Sequence, residues 1–217
     1  MIKIFTAFAV ALLFSCNKPP FNLDITYSSA INGTFYDTKS GYLAGLLIVD
    51  GKKIGEFPIT SSKVRGGFVC FKSGYVEAGY FKVIDNKLYF SRNHLTYSHL
   101  PEKSRGTVVN DEFLKQVKWA ITGGGLFLLE GEPVKRVGAK ENLSSYIVNH
   151  KRYSALLLHK DKKTITGIIV RGIKPEELAK SLVGKYSALL RLDGGSSTTY
   201  FKNKKKPSWI NNCVGVR

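Results

Sequence analysis

Acidic residues are scarce in this chain: 16 Asp and Glu stand against 33 Lys and Arg in 217 residues, for a formal charge of +17. Cysteine is rare too, with three in all. They form no CxxC pair and no His/Cys cluster with metal-ligand spacing, which argues against a structural zinc. No GxSxG pentapeptide is present, so the elbow that presents a serine nucleophile is missing. Neither a Walker loop nor a dinucleotide-binding glycine fingerprint occurs. There is no internal repeat, no long low-complexity segment, and no apolar run long enough to span a bilayer as a helix. These absences remove serine-triad hydrolases, P-loop and dinucleotide enzymes, and zinc-knit modules from consideration.

The first residues carry an address. Lys3 gives a short basic start, Ile4 to Phe14 is a brief apolar core, and Leu13-Phe14-Ser15-Cys16 resembles a bacterial lipobox. The expectation is a signal peptide over residues 1–15, a lipidated Cys16, and a tether over residues 16–23 that contains Pro19 and Pro20. The competing expectation is a cleaved signal without lipidation. Residues 24–217 remain for one domain, and a chain of about 200 residues is long enough to bury a substantial core. The expected location is the bacterial cell envelope, lipid-anchored, on a periplasmic or surface face.

The excess of positive charge implies long-range attraction to anionic polymers, lipid headgroups or phosphorylated glycans, screened by salt. An exported lipoprotein makes nucleic acid an unexpected partner. Lys202, Lys204, Lys205 and Lys206 form the one dense basic run, which reads first as a solvated hairpin tip. For Cys70 and Cys213 the sequence leaves two readings, a disulfide or two buried free thiols.

Short apolar runs punctuated by turn residues predict strands over Ile25–Ile31, Gly45–Asp50, Gly67–Phe71 and Trp119–Thr122. Hairpins are expected over Tyr80–Phe90, turning at Asp85-Asn86, and over Tyr153–Val170, turning at Lys160–Lys163. Leu126–Leu129 is expected to pair back on Trp119–Thr122 across Gly123-Gly124-Gly125. Asn93–Arg105 reads as loop. Asn110 caps a short helix, and Pro175 opens a longer one that Gly184 stops. Many hairpins and few helices predict an α+β single domain built on a large mixed β-sheet.

The chain is organised around Leu190–Phe201, LRLDGGSSTTYF. An apolar strand ends abruptly at Asp193-Gly194-Gly195-Ser196-Ser197, and β-rich residues then resume. Two glycines allow the backbone to turn its N–H groups toward one point, and Ser196 and Ser197 add hydroxyl donors. Such a nest suits a phosphate oxygen. Asn32-Gly33-Thr34-Phe35-Tyr36-Asp37 and Thr122-Gly123-Gly124-Gly125 are two more loops after strands, and His150, Arg152 and Tyr153 form a polar group at a strand entrance.

In this order these elements resemble the phosphodiester glycosidase family. The segments that carry the likeness are NGTFYD, ITGGGLFLLEG, HKRYSALLLHKDKKTITGIIV, KPEELAKSLVGKYSALLRLDGGSSTTYF and the closing NNCVGV, so it covers essentially the whole mature chain. Thr34 and Ser196 stand where the family pattern has glycine. The resemblance implies hydrolysis of a sugar-1-phosphodiester at the sugar–oxygen bond, with a glycan or sugar-phosphate as substrate. Because the leaving group is a phosphate monoester, strong acid assistance is not needed. A carboxylate to activate water or stabilise an oxocarbenium-like centre is needed, and so are donors for the phosphate.

Asp193 is the first choice for the carboxylate and Asp37 the second. Arg152 is the guanidinium that grips two phosphate oxygens. Gly194, Gly195, Ser196 and Ser197 supply donors, Asn32, Gly33 and Thr34 orient the substrate, and Gly123 and Gly124 line the site or permit close backbone packing. Asp193 capping its own turn and Arg152 pairing at the surface are the plainer readings. His150 is a possible proton carrier. No cofactor is implied; a divalent cation at the Asp193 loop would meet hard oxygen ligands, but no ligand spacing calls for one. The rival from another class is a non-catalytic surface module that binds anionic glycans.

Overall fold

A computed structural model describes residues 26–27, 29–32, 45–54, 64–93 and 106–194, with further strands at 200–201, 204–205 and 213–216. In chain order the strands are β1 (Thr26–Tyr27), β2 (Ser29–Asn32), β3 (Leu47–Val49), β4 (Lys52–Lys53), β5 (Arg65–Phe71), β6 (Val76–Ile84), β7 (Lys87–Ser91) and β8 (Thr107–Val108). Helix α1 (Asp111–Gln116) precedes β9 (Val117–Thr122), β10 (Leu126–Leu129) and β11 (Glu132–Pro133). Two short helices, α2 (Val137–Lys140) and α3 (Ser145–Asn149), lead to β12 (Arg152–His159) and β13 (Ile165–Arg171). Helix α4 (Pro175–Leu182) then feeds β14 (Tyr186–Gly194), and β15 (Tyr200–Phe201), β16 (Lys204–Lys205) and β17 (Cys213–Val216) follow.

Two larger sheets dominate. One has seven strands in the order β4-β3-β9-β5-β6-β7-β8, and the other five, β11-β10-β14-β12-β13. A three-stranded piece, β15-β2-β17, and the pair β1-β16 complete the described pairings, all of them antiparallel. The architecture is α+β in a single domain, as the run of hairpins predicts.

Alternation along the strands builds the layers. Leu47, Val49, Phe68, Trp119 and Ile121 from the larger sheet meet Leu156, Leu158, Ala188, Leu190 and Leu192 from the smaller one in a shared core. The opposite face of the five-stranded sheet carries Tyr153, Ala155, Leu157 and Leu189, covered by Leu178, Ala179 and Leu182 of α4. Pro175 opens that helix and the Glu177 carboxylate accepts from the Lys174 amide at 3.4 Å. Gly184, at φ +76°, ends it in a conformation that glycine enters without a side-chain clash. The outer face of the seven-stranded sheet is closed by Phe113 of α1, whose cap Asn110 accepts from the Phe113 amide at 3.0 Å.

The hairpins at Asp85-Asn86 and at 160–163 form as expected, and both aspartate-led turns at Asp50 and Asp85 use positive φ. One pairing differs. Leu126–Leu129 does not return along β9; it pairs with β14 and β11 in the other sheet. Gly123–Gly125 is therefore a corner by which the chain passes between sheets, and an added methyl at Gly123 would lie 2.1 Å from the Arg191 carbonyl oxygen. Helices α2 and α3 were not expected: each is under two turns, too short for a periodic pattern to register. Cys70 is a buried free thiol, which removes the disulfide reading, and burial pushes its pKa up. The 93–105 loop expectation falls almost wholly outside the described residues, as do Cys16 and the tether. Among the described residues no helix is long and apolar enough to cross a membrane.

Candidate active site

Leu190 and Leu192 bury β14 between the sheets, and Asp193 and Gly194 still belong to that strand, half-buried at its end. The pairing with β12 slips just there. Ala155 sits opposite Arg191 but Tyr153 sits opposite Gly194, so β14 takes three residue steps where β12 takes two. A bulge of this kind bends a strand locally and re-aims side chains at its end. Leu192 and Asp193 lie within it. The Gly194 amide donates to Asp193 Oδ1 at 2.7 Å, so the carboxylate is held against its own backbone; the turn-capping reading named Gly195 and Ser196, which lie outside the described residues.

Gly194 has no room for a side chain. A methyl there would lie 2.7 Å from the Arg152 carbonyl oxygen and 2.8 Å from Arg191 Nη2. The second of these partners was not among the expected site residues. Arg191 is 1% exposed in the middle of an apolar strand, and its guanidinium lies 5.3 Å from the centre of the Tyr153 ring. Burial lowers its pKa to about 10, opposed first by the Asp193 charge and then by Tyr153 and Tyr146. It stays a cation at neutral pH. The signal was legible as the one charge that precedes Asp193 in YSALLRLDG.

Tyr153 is fully buried, and burial raises its phenol pKa, so it stays neutral. Its hydroxyl has no hydrogen-bond partner among the described residues. Arg152 begins β12 with an exposed side chain. His150 Nδ1 sits 2.9 Å from the Arg152 carbonyl oxygen and 3.2 Å from its amide, and its ring lies 4.8 Å from that of Tyr146. That ring nitrogen is occupied by the strand's entrance, which leaves Nε2 for any proton traffic.

The glycine corner borders the same strand end. The Gly124 amide donates to the Arg191 carbonyl at 2.7 Å, the Arg191 amide donates to Gly125 at 2.9 Å, and the Gly123 amide donates to Gly66 at 3.0 Å. Gly123 and Gly124 are thus buried in sheet-to-sheet packing, the plainer of their two readings. Thr122 Oγ1 accepts from the Leu46 amide at 2.8 Å.

Beside the corner lies Glu141, 0% exposed and also missing from the sequence reading. Its carboxylate accepts from Gly66 N in one sheet at 2.7 Å and from Leu126 N in the other at 2.8 Å, and the Arg65 guanidinium donates to its backbone carbonyl. Burial raises its pKa to about 7 against those two amides and Arg65. Nothing in GAKENL distinguishes this carboxylate from a solvated neighbour.

Asn32 closes β2 opposite Cys213. Gly33, Thr34, Asp37, Gly195, Ser196 and Ser197 lie outside the described residues. Among those described, no three His, Cys, Asp or Glu side chains converge to hold a metal. A groove of about 510 Å³ lined by Phe71, Glu77, Phe90 and Phe113 lies on the larger sheet and includes none of these site residues.

A family model described as phosphodiester glycosidase matches residues 26–217. The chain belongs to the phosphodiester glycosidase family. This classes it, at family level, with the glycoside hydrolases. The fold is similar to that of the catalytic domain of zebrafish N-acetylglucosamine-1-phosphodiester alpha-N-acetylglucosaminidase, a structure described as auto-inhibited by its pro-peptide, with TM-score 0.56 and 19% identity over 88% of this chain and 63% of that one. It is also similar to a hypothetical protein from Synechocystis, with TM-score 0.53 and 15% identity over 88% and 52%. The chain thus spans less than two thirds of either of these structures, and at such identities the likeness concerns the fold. No curated protein matches.

Proposed function

We propose that this phosphodiester glycosidase hydrolyses a glycosyl-1-phosphodiester of a cell-surface glycan, anchored to the bacterial envelope through Cys16. The observation that carries the reading is a half-buried Asp193 carboxylate on a bulged strand end, its Oδ1 held by the Gly194 amide. Family membership supplies the reaction class, and the +17 charge favours an anionic substrate.

In this reading Asp193 accepts a proton from a water whose oxygen bonds to the anomeric carbon. The bond from that carbon to the bridging oxygen breaks, and its electron pair leaves with the phosphate monoester. Free sugar and phosphate monoester result, and the proton passes from Asp193 to solvent. In the same reading Arg152, at the start of β12, takes two phosphate oxygens at once. The loop from Gly195 to Ser197 supplies further donors, and Asp37 is the second carboxylate.

Purified residues 17–217 are given a panel of sugar-1-phosphodiesters, beginning with UDP-linked N-acetylglucosamine, next to an Asp193→Asn control. Sugar release by the wild type alone is expected. No release from either protein, with salt-sensitive binding of anionic glycans intact in both, overturns the enzyme reading in favour of a binding module. Globomycin-sensitive processing and loss of membrane association in Cys16→Ser test the anchor.

A further inference from the structure

We infer that Glu141 is a positioning residue for the site end of β14: its carboxylate accepts an amide from each large sheet, fixes the glycine corner that grips the Arg191 peptide, and does so only while both its oxygens are free of a proton. The clamp stands on hydrogen bonds; its effect on turnover rests on the phosphodiester reading.

A buried backbone amide must find an acceptor, and a corner between sheets interrupts the ladders that would supply one. Glu141, fully buried, fills that need from both sides. Its Oε2 accepts from the Gly66 amide of β5 at 2.7 Å, and its Oε1 from the Leu126 amide of β10 at 2.8 Å. Each oxygen therefore serves a different sheet. The approach is close: a methyl at Gly66 would lie 2.5 Å from Leu126 Cβ and 2.9 Å from Glu141 Oε1.

From there the bonds run to β14. The Gly66 carbonyl accepts from the Gly123 amide at 3.0 Å, the Gly124 amide donates to the Arg191 carbonyl at 2.7 Å, and the Arg191 amide donates to Gly125 at 2.9 Å. Leu126, whose amide Glu141 holds, stands opposite Leu190. The two residues that Glu141 ties together thus anchor the glycine corner at both ends. The corner in turn holds the β14 backbone just before the slip in register that contains Asp193.

Because each carboxylate oxygen faces an N–H, a proton on either one meets a donor and removes an acceptor. Burial opposes the charged form, outweighs the two amides and Arg65 that favour it, and brings the titration to about 7. Arg65 of β5 also donates to the Glu141 backbone carbonyl. Among the described residues the other titratable group that senses this charge is Tyr80 of β6, kept neutral by burial first and by Glu141 second. The clamp therefore changes state near neutral pH. Stability and position then move in opposite directions. Proton uptake removes a buried charge, which favours the folded chain, and surrenders one of the two anchors.

The test is an amide NMR titration of the 15N-labelled protein from pH 5 to 9, wild type beside Glu141→Gln, together with the pH profile of kcat and KM. In wild type the Gly66 and Leu126 amide protons are expected to titrate together near pH 7, at least one moving upfield as its charged acceptor is lost. The Gly124 and Arg191 amides should follow with the same midpoint. Glu141→Gln keeps the shape but offers one acceptor, so all four amides should stay flat. Wild-type kcat should fall as pH drops through that midpoint. Glu141→Gln should lose the step and lie about tenfold below wild type at pH 8, with KM within about threefold. Gly66 and Leu126 amides that do not titrate in wild type, or that titrate equally in Glu141→Gln, overturn the inference. A titration that stops short of Gly124 and Arg191, or a kcat indifferent to the shared midpoint, overturns it as well. Should Glu141→Gln fail to fold, 13C titration of the wild-type Glu141 carboxyl, matched against the four amides, decides in its place. If no protein turns over any phosphodiester while the four amides still titrate together, the substrate reading has failed and the clamp stands.

Discussion

Strand β12 has an aspartate near each end, and the two are served differently. Asp161, in the turn after His159, accepts from the Thr164 hydroxyl at 2.6 Å and from the amides of Lys163 and Thr164 at 2.8 and 2.9 Å. Those donors, the hydroxyl first, hold its pKa down at about 2. Its oxygens are taken up by its own turn, in water. Asp193, across from the start of the strand, takes one amide from Gly194 and lies beside a buried cation at the slip in register. A carboxylate consumed by local donors shapes a turn. One set where the ladder is interrupted belongs to a strand end rather than to a turn.

The largest expected effect comes from neutralising each aspartate in turn. Asp193→Asn should lower kcat/KM by about a thousandfold or more while substrate binding is largely retained. Asp161→Asn should leave turnover within about twofold. Equal losses in the two would erase the distinction.

The second contrast is steric. Gly123→Ala places a methyl 2.1 Å from a backbone oxygen and should destabilise by about 3 kcal/mol or more, read as a lower urea midpoint. Gly74→Ala, in the turn before β6, meets nothing within 4 Å and bears only the strain of φ +84°, about 1–2 kcal/mol.

The third contrast is in pH, with opposite signs at the two ends. Folded Glu141 titrates near 7 against an ordinary 4.5, so the native state holds an extra proton between those values. Its contribution to stability therefore grows as pH falls from about 7 to about 4.5, by about 3 kcal/mol, and Glu141→Gln should flatten that slope. Folded Asp161 titrates near 2 against 3.8, so its contribution is present above 3.8 and is lost as pH falls toward 2. Urea midpoints measured from pH 2 to 8 in the two variants separate them. The smallest effect is the loss of the turn donors: Asp161→Ala should cost about 1 kcal/mol at neutral pH with no change in rate.

Much of this was legible beforehand because it is local. Asn110, Pro175 and Gly184 announce helix ends through their own side-chain or backbone chemistry, and Asp85-Asn86 announces a turn in the same way. Asp193-Gly194 stood out because a glycine pair ends an apolar strand abruptly, although an ordinary turn is the commoner use of that pattern. What escaped depends on partners far along the chain. Glu141 matters because Gly66 and Leu126 meet there from different sheets, and no window around residue 141 contains either. Gly123–Gly125 looked like a hairpin turn because two apolar runs flanked it; only the Arg191 carbonyl on the far side makes it a corner. Arg191 lay between: visible as a charge in an apolar run, silent about its neighbours.

Strand β14 is irregular toward both neighbours near its far half. β10 takes two steps between Leu126 and Leu128 where β14 takes one, and the slip against β12 follows within a few residues. Its middle, Ala188 to Leu190 opposite Leu158 to Leu156, keeps a regular ladder with β12, and the register slips once more at the root between Leu158 and His159. The middle of the strand is thus committed to heritable architecture, and the tip is released from it. A lineage could gain or lose a residue between Arg191 and Gly195, or exchange one there, and explore new substrates while inheriting the same two sheets.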